Sequence, residues 1–371
     1  MSKTRRTFKY RLYPTRNQTV ILEGQFGLCC ELYNAALQER REAYRLEGQS
    51  ISFRSQSDQL PEIKVERAEF GNVYSPVLQD TLHRVDRSFK AFFRRVRRGE
   101  KAGFPRFRAR ARYDSLTYPQ LGFAIEGDHL KLSKVGCVKI KLHRPIEGQI
   151  KTLTVKREAG KWYACFSVEV ESVPLAYCSE NVGVAVGLTH FATLSDGSEI
   201  ENPRHYRMAQ SALRIAQRKV ARRKKGSHRR RKAGQLLQGA HLAIHNQRAN
   251  FHHQVSRTLV NSNGLIAVED LNVKGLASGM LAKSVSDAGW SAFIAKLAYK
   301  AENAGRVLVK VDPRGTSQTC LCGASVPKTL SQRWHECSVC GLSAPRDHVS
   351  AQLILRLGLS LQAPRAAVAF A

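Results

Sequence analysis

Four cysteines near the C-terminus, Cys320, Cys322, Cys337 and Cys340, fall in two close pairs separated by a 14-residue stretch. Four thiolates so spaced can close a tetrahedral Zn²⁺ site, and four protein ligands leave no open position for water, so this zinc is expected to be structural. The second pair is C-x-x-C followed by Gly341, a good zinc knuckle, whereas the first is C-x-C and geometrically tighter. His335 could replace one ligand, but a fourth cysteine makes that unnecessary. A second constellation is acidic. "GLIAVEDL" reads as a short buried strand that ends in Glu269 and Asp270, and Asp347 begins the last helix just after the cysteine-bearing stretch. Carboxylates on adjacent strands and a helix can hold two Mg²⁺ ions roughly 3.5–4 Å apart, which activate water and stabilise a leaving oxygen. The hairpin "VGVAVGLTHFATLSDG" would supply the first such strand, yet the centre of "GVAVG" is Ala185.

The elements that must carry these residues follow from the pattern. "TFKYRLYP" alternates apolar and charged residues as a strand does, and Pro14 stops it. From Asn17 to Leu46 the spacing is helical, with Ile21, Phe26, Cys29, Cys30, Tyr33 and Leu37 on one face, and Gly48 ends the helix. A second helix is expected from Ser75 as N-cap, with Pro76 at its first position and Gly99 as its stop. Its apolar stripe is Leu78, Leu82, Val85, Phe89, Phe92, Phe93 and Val96, and its other face carries Arg94, Arg95, Arg97 and Arg98 among further cations. A β-rich block runs from about Leu121 to Val173, including a hairpin that turns at Ala159-Gly160. A long basic helical region, broken near Gly226, follows the quoted hairpin, then a helix from about Ser286 to Ala304 and the strand "RVLVKVDP".

The 371 residues carry 60 Lys+Arg against 30 Asp+Glu, a formal charge of +30 with a pI near 10.2. A globular chain this basic implies a polyanionic partner, by default nucleic acid. Seven of the eleven residues from Ala221 to Arg231 are Lys or Arg, namely Arg222, Arg223, Lys224, Lys225, Arg229, Arg230 and Arg231, and this run suits a phosphate backbone better than an idle solvated face. The N-terminus lacks the apolar stretch of a secretion signal, and no apolar run is long enough to span a membrane. Nine cysteines with four clustered suit a reducing cytoplasm and a metal. The expected location is cytoplasmic and nucleoid-associated, with neither a membrane nor a small-molecule substrate as partner.

The chain resembles the TnpB family, RNA-guided nucleases of insertion-sequence transposons and relatives of the type V CRISPR effectors. The resemblance lies in "YRLYPTRNQ", "FFRRVRRGEKAGFPRF", "VGVAVGLTHFATLSDG", "VEDLNVKGL", "DPRGTSQTC" and "CSVCGLSAPRDHVSA", which span nearly the whole sequence. It implies an α/β multidomain fold with an RNase H-like RuvC nuclease domain and a β-barrel wedge domain. The wedge-like barrel is expected over 1–16 and 105–178, an inserted helical recognition lobe over 17–104, the nuclease domain over 179–315 and 346–360, a zinc-binding target-nucleic-acid-binding insert over 316–345, and a tail over 361–371. It also implies a guide RNA from the transposon end, a double-stranded DNA target, structural Zn²⁺ and, in an intact site, catalytic Mg²⁺. Glu269 matches the second catalytic acid and Asp347 the third. The motif around the third usually reads D-R-D-x-N and here reads Pro345-Arg346-Asp347-His348-Val349. The first acid, within G-[IV]-D-[LV]-G in the family, is replaced by Ala185.

A methyl group cannot bind Mg²⁺, so the chain as written is expected to bind a guided target without cutting it. A single engineered Asp-to-Ala change fits the otherwise family-like strand; the alternative is a naturally nuclease-dead RNA-guided repressor. Gln79 and His83 on the second helix are candidate readers of a short DNA motif flanking the target. A strand transferase would need a nucleophile or an end-binding domain that the sequence does not offer, and a general zinc-dependent RNA-binding protein would leave the ordered acids unexplained.

Overall fold

The computed structural model describes residues 3–119, 121–329 and 331–368, with side chains through residue 362. It divides into two compact units, 2–171 and 172–371. In the first, β1 (Lys3–Tyr13) is followed by α1 (Arg16–Glu47), two short helices α2 (Phe53–Asp58) and α3 (Leu60–Glu66), and α4 (Ser75–Arg97). Six strands complete it: β2 (Ser115–Pro119), β3 (Phe123–Glu126), β4 (His129–Leu132), β5 (Gly136–Lys141), β6 (Gln149–Glu158) and β7 (Lys161–Glu171). With β1 they form one antiparallel sheet in the order β2-β6-β7-β1-β5-β4-β3. Alternation decides which side chains face the core: Phe8, Tyr10 and Leu12 on β1 meet Ala164, Phe166 and Val168 on β7. The β6–β7 turn has Ala159 at φ 48° and Gly160 at φ 74°, the two left-handed residues that a tight two-residue hairpin requires.

Helices and sheet share one core, so the helices between β1 and β2 are packed on the sheet. Thr15 and Gln18 close a reciprocal capping box at the start of α1, and Gly48 ends it at φ 66°. Its buried face uses Leu22 instead of the expected Ile21, which is exposed. The N-cap of α4 is Tyr74, not Ser75, which is already the first helical residue; the Ser75 hydroxyl accepts from Lys64 Nζ at 2.6 Å.

The second unit is built on β8 (Asn181–Val186), β9 (His190–Leu194), β10 (Glu199–Glu201), β11 (Leu265–Glu269) and β12 (Val307–Val311), in the order β10-β9-β8-β11-β12. β8, β11 and β12 are parallel, and the two hairpin pairings are antiparallel. Ser195-Asp196-Gly197 therefore turns from β9 to β10, while Gly187-Leu188-Thr189 joins β8 to β9. The basic region forms α5 (His205–Ala221) and α6 (His228–Ser262), parted at Gly226 with φ 82°. The expected helix from Ser286 to Ala304 is instead two, α8 (Ala282–Ala288) and α9 (Trp290–Asn303), after a single turn α7 (Val273–Leu276). Gly289 at φ 66° breaks them. A small ladder of β13 (Trp334–Glu336) and β14 (Ser343–Pro345) leads into α10 (Arg346–Val368). The expected tail over 361–371 is helical through Val368, and its remaining residues lie outside the described ones. No helix among the described residues is long and apolar enough to cross a membrane.

The sheet buries two faces. Val182, Val184, Ile266 and Val268 meet α6 and α9, whereas Ala185, Leu265, Ala267 and Val309 meet Ala351 and Ile354 of α10. Glycine permits the close approach of α10: a Cβ at Gly183 would lie 2.0 Å from the Ala351 carbonyl oxygen, and one at Gly358 would lie 2.5 Å from Ala267 Cβ. Gly183→Ala is therefore expected to push α10 off β8 and destabilise the unit by about 1–3 kcal/mol, read as a lower denaturant midpoint. An unchanged midpoint would show that the helix can shift at no cost.

Candidate functional site

Ala185, Glu269 and Asp347 all belong to the α10 side of the sheet. On β8, Gly183 and Ala185 alternate toward α10; on β11, Leu265, Ala267 and Glu269 do the same. Gly183 pairs in register with Ala267, and Val184 with Val268, so the next step along both strands sets Ala185 level with Glu269. Asp347 stands in the first turn of α10. The structure thus brings together the three positions singled out in the sequence, with a methyl group at one of them.

The two acids differ in their surroundings. Burial raises the pKa of Glu269; a hydrogen bond from Thr316 opposes this and the nearby Asp347 charge adds to it. Thr316 Oγ1 lies 2.5 Å from Glu269 Oε1 and 3.0 Å from the Pro313 carbonyl oxygen. With one proton, Thr316 either donates to the carboxylate or donates to Pro313 and accepts from the protonated acid. Asp347 is matched with guanidinium: Arg346 Nε donates to its Oδ1 at 3.1 Å, and Arg333 Nη1 is 3.9 Å from Oδ2. Arg346 Nη1 also donates to the Gln332 carbonyl, tying this residue to the cysteine-bearing segment. His348 Nε2 lies 3.2 Å from the Ser195 carbonyl oxygen, and Val349 is buried in the core. A cleft lined by Asn202, Arg204, Arg207 and Ser284 shares Arg333 with this corner. Thr316, Arg333 and the cleft were not picked out from sequence; the only signal was that Thr316 lies within the quoted "DPRGTSQTC".

The donors at this corner do not suit a pair of Mg²⁺ ions. One position offers a methyl, which leaves only the half-buried Glu269 and the arginine-paired Asp347 as carboxylate donors, too few for two ions. The cysteines fit a metal well. Their sulfur atoms all lie within 4.8 Å of one another, with Cys320–Cys340 at 3.6 Å and Cys322–Cys337 at 3.7 Å. Zn–S bonds of about 2.3 Å in a tetrahedron separate sulfurs by about 3.8 Å. Each pair is followed by a left-handed glycine, Gly323 at φ 92° and Gly341 at φ 72°, whose amide closes a turn onto Cys320 or Cys337. This shared geometry lets the shorter C-x-C pair work as a knuckle. Among the described residues these four cysteines are the one group with metal-holding geometry, and His335 stands outside it, beside Lys328.

The basic candidates are separate in role. Arg94, Arg95, Arg97, Arg98, Arg222, Lys224, Lys225, Arg229 and Arg231 are exposed, and Arg223 is half-buried. Arg230 instead holds the α5–α6 junction, donating to the Val220 and Arg223 carbonyls at 3.0 and 2.8 Å. Gln79 and His83 are exposed one turn apart on α4, and the His83 ring stacks on Phe53 with centroids 3.6 Å apart.

A mixed sheet with Glu269 at the end of β11, and a cysteine cluster with metal-holding geometry ahead of α10, make this a mixed α/β protein. Three family models match: a probable transposase (OrfB_IS605) over residues 165–279, a Cas12f1-like TNB domain over 290–354 and a helix-turn-helix domain over 1–49. The last span folds here as β1 and α1. A putative RNA-guided DNA endonuclease from Streptomyces pristinaespiralis is 34% identical over 98% of this chain and 92% of its own length. The putative RNA-guided DNA endonuclease InsQ of Escherichia coli is 30% identical over 96% of this chain and 93% of its own. In fold, the chain is similar to a Cas12f1 solved in complex with sgRNA and target DNA, with a TM-score of 0.61, 12% identity and coverage of 95% of this chain and 98% of that one. The chain belongs to the TnpB family of RNA-guided DNA endonucleases.

Proposed function

We propose that this protein is an RNA-guided DNA-binding member of its family that does not cut its target. The observation that carries the reading is Ala185, level with Glu269 and facing α10 where a third carboxylate would be needed. With a methyl at that position, Glu269 and Asp347 are the two carboxylates left at the corner, short of the donors of a two-metal site. The Cys320, Cys322, Cys337 and Cys340 cluster holds a structural Zn²⁺ and shapes the insert over 316–345. Sequence choice comes from pairing between a guide RNA, encoded at the transposon end, and one DNA strand, while the protein reads duplex shape and a short flanking motif. Gln79 and His83 on α4 read that motif; both are exposed, and the His83 ring stacks on Phe53. An introduced alanine and an inherited one give the same protein chemistry, and the gene of origin separates them.

The test is to sequence RNA that co-purifies with the full chain and to measure binding and cleavage of matching DNA. A structured RNA, complementarity-dependent binding and no cutting are expected; equal DNA binding with and without RNA would refute the reading. Affinity for that RNA should fall steeply with salt, by about 0.7 log units per log unit for each phosphate contacted on single strands. Replacing Arg222, Lys224 and Lys225 together by glutamine should flatten this slope, and an unaltered slope would remove the α5–α6 junction from the interface.

A further inference from the structure

The apolar stripe of α4 outlasts the core it serves. Leu78, Leu82 and Val85 are buried, Phe89 and Phe92 are half-buried, and Phe93 and Val96 are 53% and 51% exposed. Beyond the helix, the chain turns at Gly99 and lays Phe104, itself 45% exposed, against the same rings. Phe104 meets Phe89 and Phe92 edge-on at centroid distances of 5.6 and 5.3 Å, and Phe92 meets Phe93 at 5.2 Å. The segment carrying Phe104 is anchored: Asn34 accepts from the Arg108 amide at 2.8 Å and donates to its carbonyl at 2.9 Å. The result is a pre-formed aromatic surface, not a floppy loop.

Cations flank this surface. By helical periodicity Arg95 and Arg97 fall at the two margins of the stripe, Arg94 and Arg98 lie behind it, and Arg106 follows Phe104 by two residues; all five are exposed, and none is in an ion pair with a carboxylate among the described residues. A protein partner would have to bring acids around an apolar centre. Nucleic acid offers both at once, phosphates on the outside and flat bases that stack on aromatic rings. Guide RNA is the favoured occupant because it is the partner that stays: exposed phenylalanines among mutually repelling arginines need a resident cover. We propose that Phe92, Phe93 and Phe104 form a stacking platform for unpaired bases of the guide RNA, with the neighbouring arginines on its phosphates. This rests on the RNA-guided reading and adds where and how the RNA is gripped.

The experiment uses the full chain freed of nucleic acid and a transcript identical to the RNA that co-purifies with it. Phe93→Ala and Phe104→Ala should each weaken binding about 5- to 150-fold while leaving the salt slope unchanged. Phe104→Trp should restore affinity, because an indole stacks as well as a phenyl ring. Arg95→Gln combined with Arg97→Gln should instead flatten the slope by about 1.4, at 0.7 per lost phosphate contact. Thermal melts accompany each variant, and Phe104→Trp keeps the test decisive where an alanine variant unfolds. If the phenylalanine variants bind the transcript as the parent does, no base rests on these rings and the proposal falls. It falls equally if they impair only capture of target DNA by the loaded protein, or only retention of a protein partner. A parent chain that fails to bind its co-purifying RNA would defeat the RNA-guided reading itself, a result distinct from these.

Discussion

Ala185→Asp is expected to give the guide-loaded protein Mg²⁺-dependent cleavage of matching DNA, at least about 10²–10³-fold above the parent chain. The new carboxylate would extend from β8 on the side facing α10, level with Glu269 and toward the first turn that carries Asp347. Ala185 is 7% exposed, so its position is fixed by packing and the added group points where the strand directs it. Asp347 would have to give up part of its pairing with Arg333 and Arg346, which makes the expected gain a lower bound on what an intact site delivers. The assay is cutting of a labelled duplex with guide and Mg²⁺. Adding Glu269→Ala should abolish cutting without weakening target binding. If the aspartate variant remains inert, Asp347 is not the third ligand or the scaffold serves binding alone; if the parent cuts, the metal-site assignment is wrong.

Removal of zinc should have the second large effect. The segment 316–345 buries only Thr316, Cys320, His335 and Cys337 among its described residues, and none of these supplies an apolar core. Structural zinc contributes roughly 10–16 kcal/mol of apparent binding free energy in small sites of this kind, far more than two three-residue strands can offer. Cys337→Ser, or a strong chelator, is therefore expected to release about one Zn²⁺ per chain and unfold this segment. Proteolysis would then nick residues between Thr316 and Pro345 while the rest of the chain resists. Glu269 would also lose its Thr316 hydrogen bond. Metal analysis that finds no zinc in the folded protein would end this idea, as would a metal-free segment that resists protease.

What could be read from the sequence was largely local. The Ala159-Gly160 turn, the α1 face and the buried half of α4 depend on neighbours a few residues apart. Family motifs added the order of Ala185, Glu269 and Asp347, and β8, β11 and α10 do bring them to one side of a sheet. The failures share a different cause. Gly289 splits a periodic stretch because its backbone is left-handed, which periodicity cannot register. Thr316 reaches Glu269 across 47 residues of sequence, and Arg333 reaches Asp347 only through the fold of the cysteine-bearing segment. Arg230 belongs to a basic run yet turns inward onto carbonyls, so a charge count overstates the free cations there. The stripe on α4 was legible as apolar, but periodicity does not say whether protein or a partner covers it.

The place of β1 in its sheet has a consequence for how the chain is made. β1 is hydrogen-bonded on one side to β7, from Lys3 against Glu171 to Leu12 against Trp162, and on the other to β5. The sheet's earliest strand in the sequence is thus near its middle, and both neighbours are synthesised more than a hundred residues later. At roughly 5–20 residues per second, β1 waits many seconds with both edges bare. The α1 helix, capped by its own Thr15 and Gln18, can form during that interval, whereas the sheet cannot close before residue 171 emerges. Its alternating arginines and lysines, Arg5, Lys9 and Arg11 among them, keep that waiting strand from pairing with other nascent chains by charge repulsion.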